Sequence, residues 1–179
     1  STGVAAVVVQ SNWGATGEVT TINDLSQIDR MIGSGHGANV VEQIIKGGAT
    51  EVLVVRAGLG GEHSSLALED GNGIEVLKIS SKYPTTREFN ITIRDAISGN
   101  EKELIAYEGP RVIERHVFEK GGNEAEAIAE IINATSVYFT SQVLAQGEVE
   151  LIVNQKLTGG SDPTVTAQDY IDAFGLLER

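Results

Sequence analysis

The sequence predicts an α+β protein: an α/β core portion with a parallel strand pair and covering helices, and a small β-rich domain inserted into it. Three observations carry that expectation. Gly3–Val9 and Glu51–Arg56 each hold an unbroken apolar run rich in β-branched residues, too short for a helix and suited to strands buried on both faces. The residues between them repeat apolar side chains at helical spacing. From about Glu62 the pattern becomes short stretches that alternate polar and apolar residues, as half-buried strands do.

The run Val52-Leu53-Val54-Val55 is the centre of the first portion. Burying four such side chains contributes roughly 6–12 kcal/mol before chain entropy is charged. Ser11-Asn12-Trp13-Gly14 ends the first run with turn residues, and Glu18–Ile22 is a short strand. Asn23-Asp24 can cap a helix on which Leu25, Ile28, Met31 and Ile32 share a face. Glycines 33, 35 and 37 stop it, and Ala38–Lys46 resumes with Val40, Val41, Ile44 and Ile45 on one side before Gly47-Gly48. Strand, helices, strand implies a parallel pair with a right-handed crossover.

Ala57-Gly58-Leu59-Gly60-Gly61 is a candidate hinge. Beyond it, strands are expected at Ile74–Ile79, Phe89–Arg94, Glu103–Tyr107, Val112–Phe118, Val137–Leu144 and Val149–Val153. Asn123 can cap a helix with the stripe Ala125, Ile128, Ala129 and Ile132. Leu157–Pro163 is a loop, and Thr166–Asp169 matches a capping box. The helix that follows carries the apolar stripe Ala167, Tyr170, Ile171, Phe174 and Leu177, which must cover the first sheet or stay exposed. The expected divisions are therefore 1–61, 62–156 and 157–179.

Composition narrows function. A net charge of −12 argues against a general nucleic-acid binder and against docking on an anionic membrane. With no cysteine, neither disulfides nor thiolate metal sites are available. No stretch approaches the ~20 apolar residues of a membrane span, and no signal peptide is visible. Asn90-Ile91-Thr92 and Asn133-Ala134-Thr135 match the glycosylation pattern by chance.

No catalytic set, cofactor site or metal site emerges from the candidates. Gly33-Ser34-Gly35-His36-Gly37-Ala38 spells a dinucleotide fingerprint, but that motif needs a strand before it, and Leu25–Ile32 has helical periodicity. Lys46-Gly47-Gly48 lacks the rest of a phosphate loop. His36, His63 and His116 form no metal-binding pair. His63-Ser64-Ser65 with Asp70 lacks a nucleophile elbow. Glu69-Asp70 reads as a turn, and Glu124 with Glu126 as a solvated first turn favoured by the helix dipole. Leu157–Pro163 has no basic neighbour to help it cradle an anion.

The ordered set Gly3-Val4-Ala5-Ala6-Val7, Ser11-Asn12-Trp13-Gly14, Lys46-Gly47-Gly48-Ala49 and Val52–Gly58 resembles the start of a phage tail sheath protein. Lys82-Tyr83-Pro84 through Asn90-Ile91-Thr92-Ile93 resembles that family's inserted β-sandwich. Leu157-Thr158-Gly159-Gly160-Ser161-Asp162 with the Asp169-Tyr170 helix resembles its return to the central domain. The likeness is to sheaths of Gram-positive phages and defective prophages. It implies a non-enzymatic subunit stacking in six-fold rings around an inner tube, in a virion tail assembled in the bacterial host cytoplasm. Implied partners are other sheath copies, the tube protein and the baseplate, with no nucleic acid and no membrane anchor. Family members carry an N-terminal arm and continue past the last helix. The chain is therefore expected to be an N-terminal fragment that stays monomeric. Two rival readings are a nucleotide-binding α/β domain at Gly33–Ala38 and a β-sandwich that binds receptor or carbohydrate.

Overall fold

The computed structural model describes residues 3–178. Ser1, Thr2 and Arg179, the outermost positions of the expected ranges 1–61 and 157–179, lie outside the described residues. The chain is α+β and divides into two compact units. The first takes the residues up to Glu62, Tyr83–Thr86, and those from Ser161 on; the second takes His63–Lys82 and Arg87–Gly160.

In the first unit, β1 (Val4–Val9) and β2 (Val19–Ile22) precede a 3-10 turn at Leu25–Gln27, α1 (Ile28–Ile32), α2 (His36–Lys46) and β3 (Glu51–Arg56). The two apolar runs lie side by side and parallel, from Val4 opposite Glu51 to Val9 opposite Arg56. Strand β2 adds antiparallel on the other side of β3, giving the order β1-β3-β2. Val52 and Val54 face one way, into a core with Val9, Ile22, Ile28, Ile32, Ala38 and Val41 from β1, β2, α1 and α2. Val55 and Ala57 face the other way. Asp24 accepts from Ser26 N and starts the 3-10 turn, so the expected cap is present on a tighter helix than the spacing suggested.

The second unit contains β4 (Ser65–Glu69), β5 (Glu75–Ser81), β6 (Asn90–Asp95), β7 (Glu101–Glu108), β8 (Arg111–Glu119), α3 (Glu124–Thr135), β9 (Phe139–Val143) and β10 (Ile152–Lys156). They make two antiparallel sheets, ordered β4-β5-β9 and β10-β6-β7-β8, and α3 lies against β9 and β8. Strand β4 was not expected; its Leu66-Ala67-Leu68 lacks the β-branched residues that mark the other strands, and pairing with β5 makes it one. Strand β10 starts later than the expected Val149, with a register shift and Asn154 at φ 49.

Helix α4 (Ala167–Leu177) returns to the first unit. Its capping box forms as the sequence indicates, with Thr166 Oγ1 accepting from Asp169 N and the Asp169 carboxylate accepting from Thr166 N. The buried face is rotated from the expected one. Ala173 packs on Val55 and Ala57, with Tyr170, Leu176 and Leu177 beside it. Ile171 and Phe174 are 62% and 51% exposed.

Candidate functional site

A polar junction in the first unit forms around Arg56, the last residue of β3. Its guanidinium is buried. Nε donates to Ser11 O at 3.1 Å, Nη1 to Gly14 O at 2.7 Å, and Nη2 to Pro84 O at 2.9 Å. The Asp162 carboxylate stands 3.6 Å from Nη2 and accepts from Thr86 N and Oγ1. Burial pushes the Arg56 pKa down to about 10, against the pull of Asp162. It remains a cation at neutral pH. One side chain thus binds the β1–β2 loop, residues 83–86 and the return segment, and it satisfies one buried and two part-buried carbonyls.

The loops around it are built for close approach. Trp13 is fully buried, donates from Nε1 to Arg30 O at 3.0 Å, and meets Tyr83 edge-on at 5.1 Å. Thr85 Oγ1 donates to Asn12 O. In the expected hinge, Gly61 has φ 79, and a Cβ there would stand 2.8 Å from both Pro84 and Pro163. The outgoing and returning segments pair antiparallel at Leu59–Thr164 and Glu62–Ser161. Gly58 and Gly61 are thus closely approached by the returning segment, whereas Leu59 and Gly60 are exposed.

Beside the junction, at the C-terminal ends of β1 and β3, lies an open cleft of about 320 Å³ lined by Gln10, Asn12, Ser34, His36, Thr86 and Asp162 among others. It is where an α/β sheet would hold a ligand. Its lining has one carboxylate, Asp162, and neither lysine nor arginine. The glycine loop on its rim follows α1, and the Gly33 amide closes that helix onto Ile28 O and Asp29 O. Ser34 N, an amide a phosphate would need, donates to Asn12 Oδ1 at 2.9 Å. Gly37 is glycine because a Cβ would stand 2.3 Å from Gln10 O. A Cβ at Gly33 would stand 2.1 Å from Asn12 Oδ1, and Gly35, with open space around it, takes φ 92 at the start of α2.

Two solved structures match this arrangement over 99% of the chain. One is a sheath tail protein from Listeria innocua, with a TM-score of 0.77 and 20% identity. The other is a sheath tail protein from Desulfitobacterium hafniense, with a TM-score of 0.76 and 17% identity. The chain has the sheath tail protein fold. At these identities the likeness is one of fold, and the chain spans 38% and 40% of the two matched chains. No family model matches the chain, and no curated protein matches it.

Within this sheath-type fold the other sequence candidates fall apart from one another. His63 Nδ1 faces Ser81 O at 2.6 Å, Ser64 Oγ is buried without a hydrogen-bond partner, and Asp70 Oδ1 accepts from Asn72 N and Ile74 N in a turn. His116 Nε2 lies 3.0 Å from Glu114. Lys46 pairs with Glu42 on the surface. Among the described residues no group of three or more His, Asp or Glu is placed to hold a metal.

One expectation is overturned outright. Glu124 does not sit on a solvated helix start; it is 1% exposed. Its Oε1 accepts from Lys102 Nζ at 2.7 Å and from Val149 N at 2.9 Å, and its Oε2 accepts from Gly121 N at 2.9 Å. Lys102 Nζ also donates to Val149 O. Asn123 makes no side-chain cap and bonds Gln146 instead. The dipole argument for an acidic first turn holds for either place, so the sequence offered no means to distinguish a wet carboxylate from a paired one. Glu114 is a second hidden organiser. Its carboxylate accepts from Ser136 Oγ, Val137 N and Tyr138 N. Burial pushes its pKa up, but His116, Ser136 Oγ and Val137 N outweigh it and hold the group below the usual carboxylate range.

Four of the five aromatics of the second unit are turned inward, and Tyr107 is half-buried. Phe89, Phe118, Tyr138 and Phe139 are buried, and the Arg87 guanidinium lies over Phe89 and Tyr138 while pairing with Glu108. None of the four offers a stacking platform to a sugar.

Proposed function

We propose that this chain is part of a structural, non-enzymatic subunit of a contractile phage-type tail sheath. The observation that carries the reading is the match of nearly the whole chain, through both units, to two sheath tail proteins. In this reading residues 1–61 and 157–179 belong to a central α/β domain, and 62–156 form a β-sandwich inserted into it. The subunit stacks in six-fold rings around an inner tube, and contraction drives that tube through the cell envelope. Its partners are other sheath copies, the tube protein and the baseplate, and its place is the virion tail. Contraction repacks rigid bodies between two discrete arrangements. Bodies of that kind need cores pinned from within, and the Arg56 junction and the Lys102–Glu124 pair supply such pins.

Expression of the undivided gene product and negative-stain microscopy test this. Regular tubes are expected; a product that remains dispersed under all assembly conditions, or that gains thermal stability from nucleotides, contradicts it.

A further inference from the structure

The hairpin that joins β4 to β5 turns at Asp70-Gly71-Asn72-Gly73, and Asn72 is the chain's only asparagine followed by glycine. Every residue from Gly71 to Ile74 is exposed. One aspartate organises the turn, as short polar side chains do. Asp70 Oδ1 accepts from Asn72 N at 2.8 Å and from Ile74 N at 3.0 Å. Asp70 O accepts from Gly73 N at 3.1 Å, and Ile74 O accepts from Asp70 N at 2.9 Å.

Aspartate and asparagine before glycine can both close a five-membered ring on the next backbone nitrogen, and this turn treats the two differently. The Asp70 carboxylate is a poor electrophile and is held by two amides. The Asn72 carboxamide is a better electrophile, and among the described residues it has no hydrogen-bond partner. Gly73 has open space around it and no Cβ to obstruct the approach of its nitrogen to Asn72 Cγ. The restraint is the bond from Gly73 N to Asp70 O, which has to open first.

We propose that Asn72 is a site of spontaneous deamidation, gated by opening of the turn from Asp70 to Gly73. With the turn open, the Gly73 amide gives its proton to a solvent base and its nitrogen attacks Asn72 Cγ. A nitrogen–carbon bond forms, the Cγ–Nδ2 bond breaks, and Nδ2 leaves as ammonia after taking a proton from water. Water then adds to either carbonyl of the succinimide and opens it to aspartate or isoaspartate. One water is consumed and one ammonia released, with no oxidant or reductant.

Either product places a new negative charge beside Glu69, Asp70 and Glu75. Isoaspartate also inserts a carbon into the backbone before Gly73. The bonds that Asp70 makes to Asn72, Gly73 and Ile74 then no longer fit together, and the pairing of Glu69 with Glu75 loses its turn. The site lies wholly in the second unit and does not depend on what the undivided protein assembles into.

Incubation of the chain in mildly alkaline buffer at body temperature, followed by peptide mapping, tests this. A mass gain of about 1 Da at residue 72 is expected at least about tenfold ahead of every other asparagine, with isoaspartate the main product. Conversion no faster than at Asn100, an exposed asparagine before Glu101, overturns the site. Asp70→Ala removes the acceptor of two turn amides and is expected to speed conversion at least about threefold. An unchanged rate overturns the gate. Should that variant misfold, the unsubstituted chain serves: conversion at 72 is expected to be slower in the folded chain than in urea, and equal rates overturn the gate.

Discussion

The first unit holds its buried Arg56 and the second its buried Lys102 in different ways. In the first, Arg56 is held by three main-chain carbonyls, with Asp162 at 3.6 Å. In the second, Lys102 is held by one carbonyl and by the carboxylate of Glu124 at 2.7 Å. A side-chain partner can be replaced together with its mate; a carbonyl cannot be deleted. The first junction is thus fixed by backbone geometry, and the second by a pair of residues that can change in concert. The planar fork of arginine suits the former task, since it reaches three loops at once.

That difference sets the largest expected effects. Arg56→Met leaves three carbonyls and a carboxylate without their cation and costs about 3–5 kcal/mol, read by urea unfolding. No single partner substitution restores it. Glu124→Gln strands the Lys102 ammonium at a similar cost, about 3–5 kcal/mol. Here the double variant Lys102→Met with Glu124→Leu recovers part of the loss, which a double-mutant cycle measures. Equal recovery at both junctions would erase the contrast.

The edges differ as well. Strand β8 carries Arg111, Glu114, Arg115, His116 and Glu119 along its length, whereas β1 is wholly apolar. Gly3 O accepts from Thr50 N and Val9 O from Ala57 N, so Val7, in step with them, serves β3. Val7→Pro removes that donor and costs about 3 kcal/mol or more. Ala6→Pro removes an outward donor and costs clearly less in this chain, because proline is tolerated where the N–H faces solvent. Thermal unfolding of the two variants checks the assigned polarity of the edge.

Acid sharpens the comparison within the second unit. The folded pKa of Glu114 lies below its ordinary value, so its contribution to stability is present above that value and lost as pH falls through the folded one. Glu114→Gln is expected to cost about 2 kcal/mol at neutral pH and to flatten the acid limb of the stability curve. A smaller effect, within about 0.5 kcal/mol, is expected for Ile171→Asp in this chain, since nothing there covers the residue.

Much of the architecture was legible. The runs at Val4–Val9 and Val52–Val55 announced a parallel pair because a doubly covered strand has no polar face to interrupt it. The Thr166–Asp169 box fixed the start of α4. What was hidden depended on tertiary partners. Leu66-Ala67-Leu68 becomes a strand only beside β5. The burial of Glu124 depends on Lys102, 22 positions away. Trp13 sits in a run of turn residues and gives no sign of being fully buried. The α4 stripe was misjudged because Ile171 and Phe174 are as apolar as the residues that do pack, and only the position of the sheet separates them.

The most direct test is helical reconstruction of tubes assembled from the undivided gene product. The expected result is six subunits per ring around a central channel, with the fold of residues 3–178 recognisable in each. Tubes of another symmetry in which this fold cannot be placed, or no tubes at all, would contradict the sheath assignment.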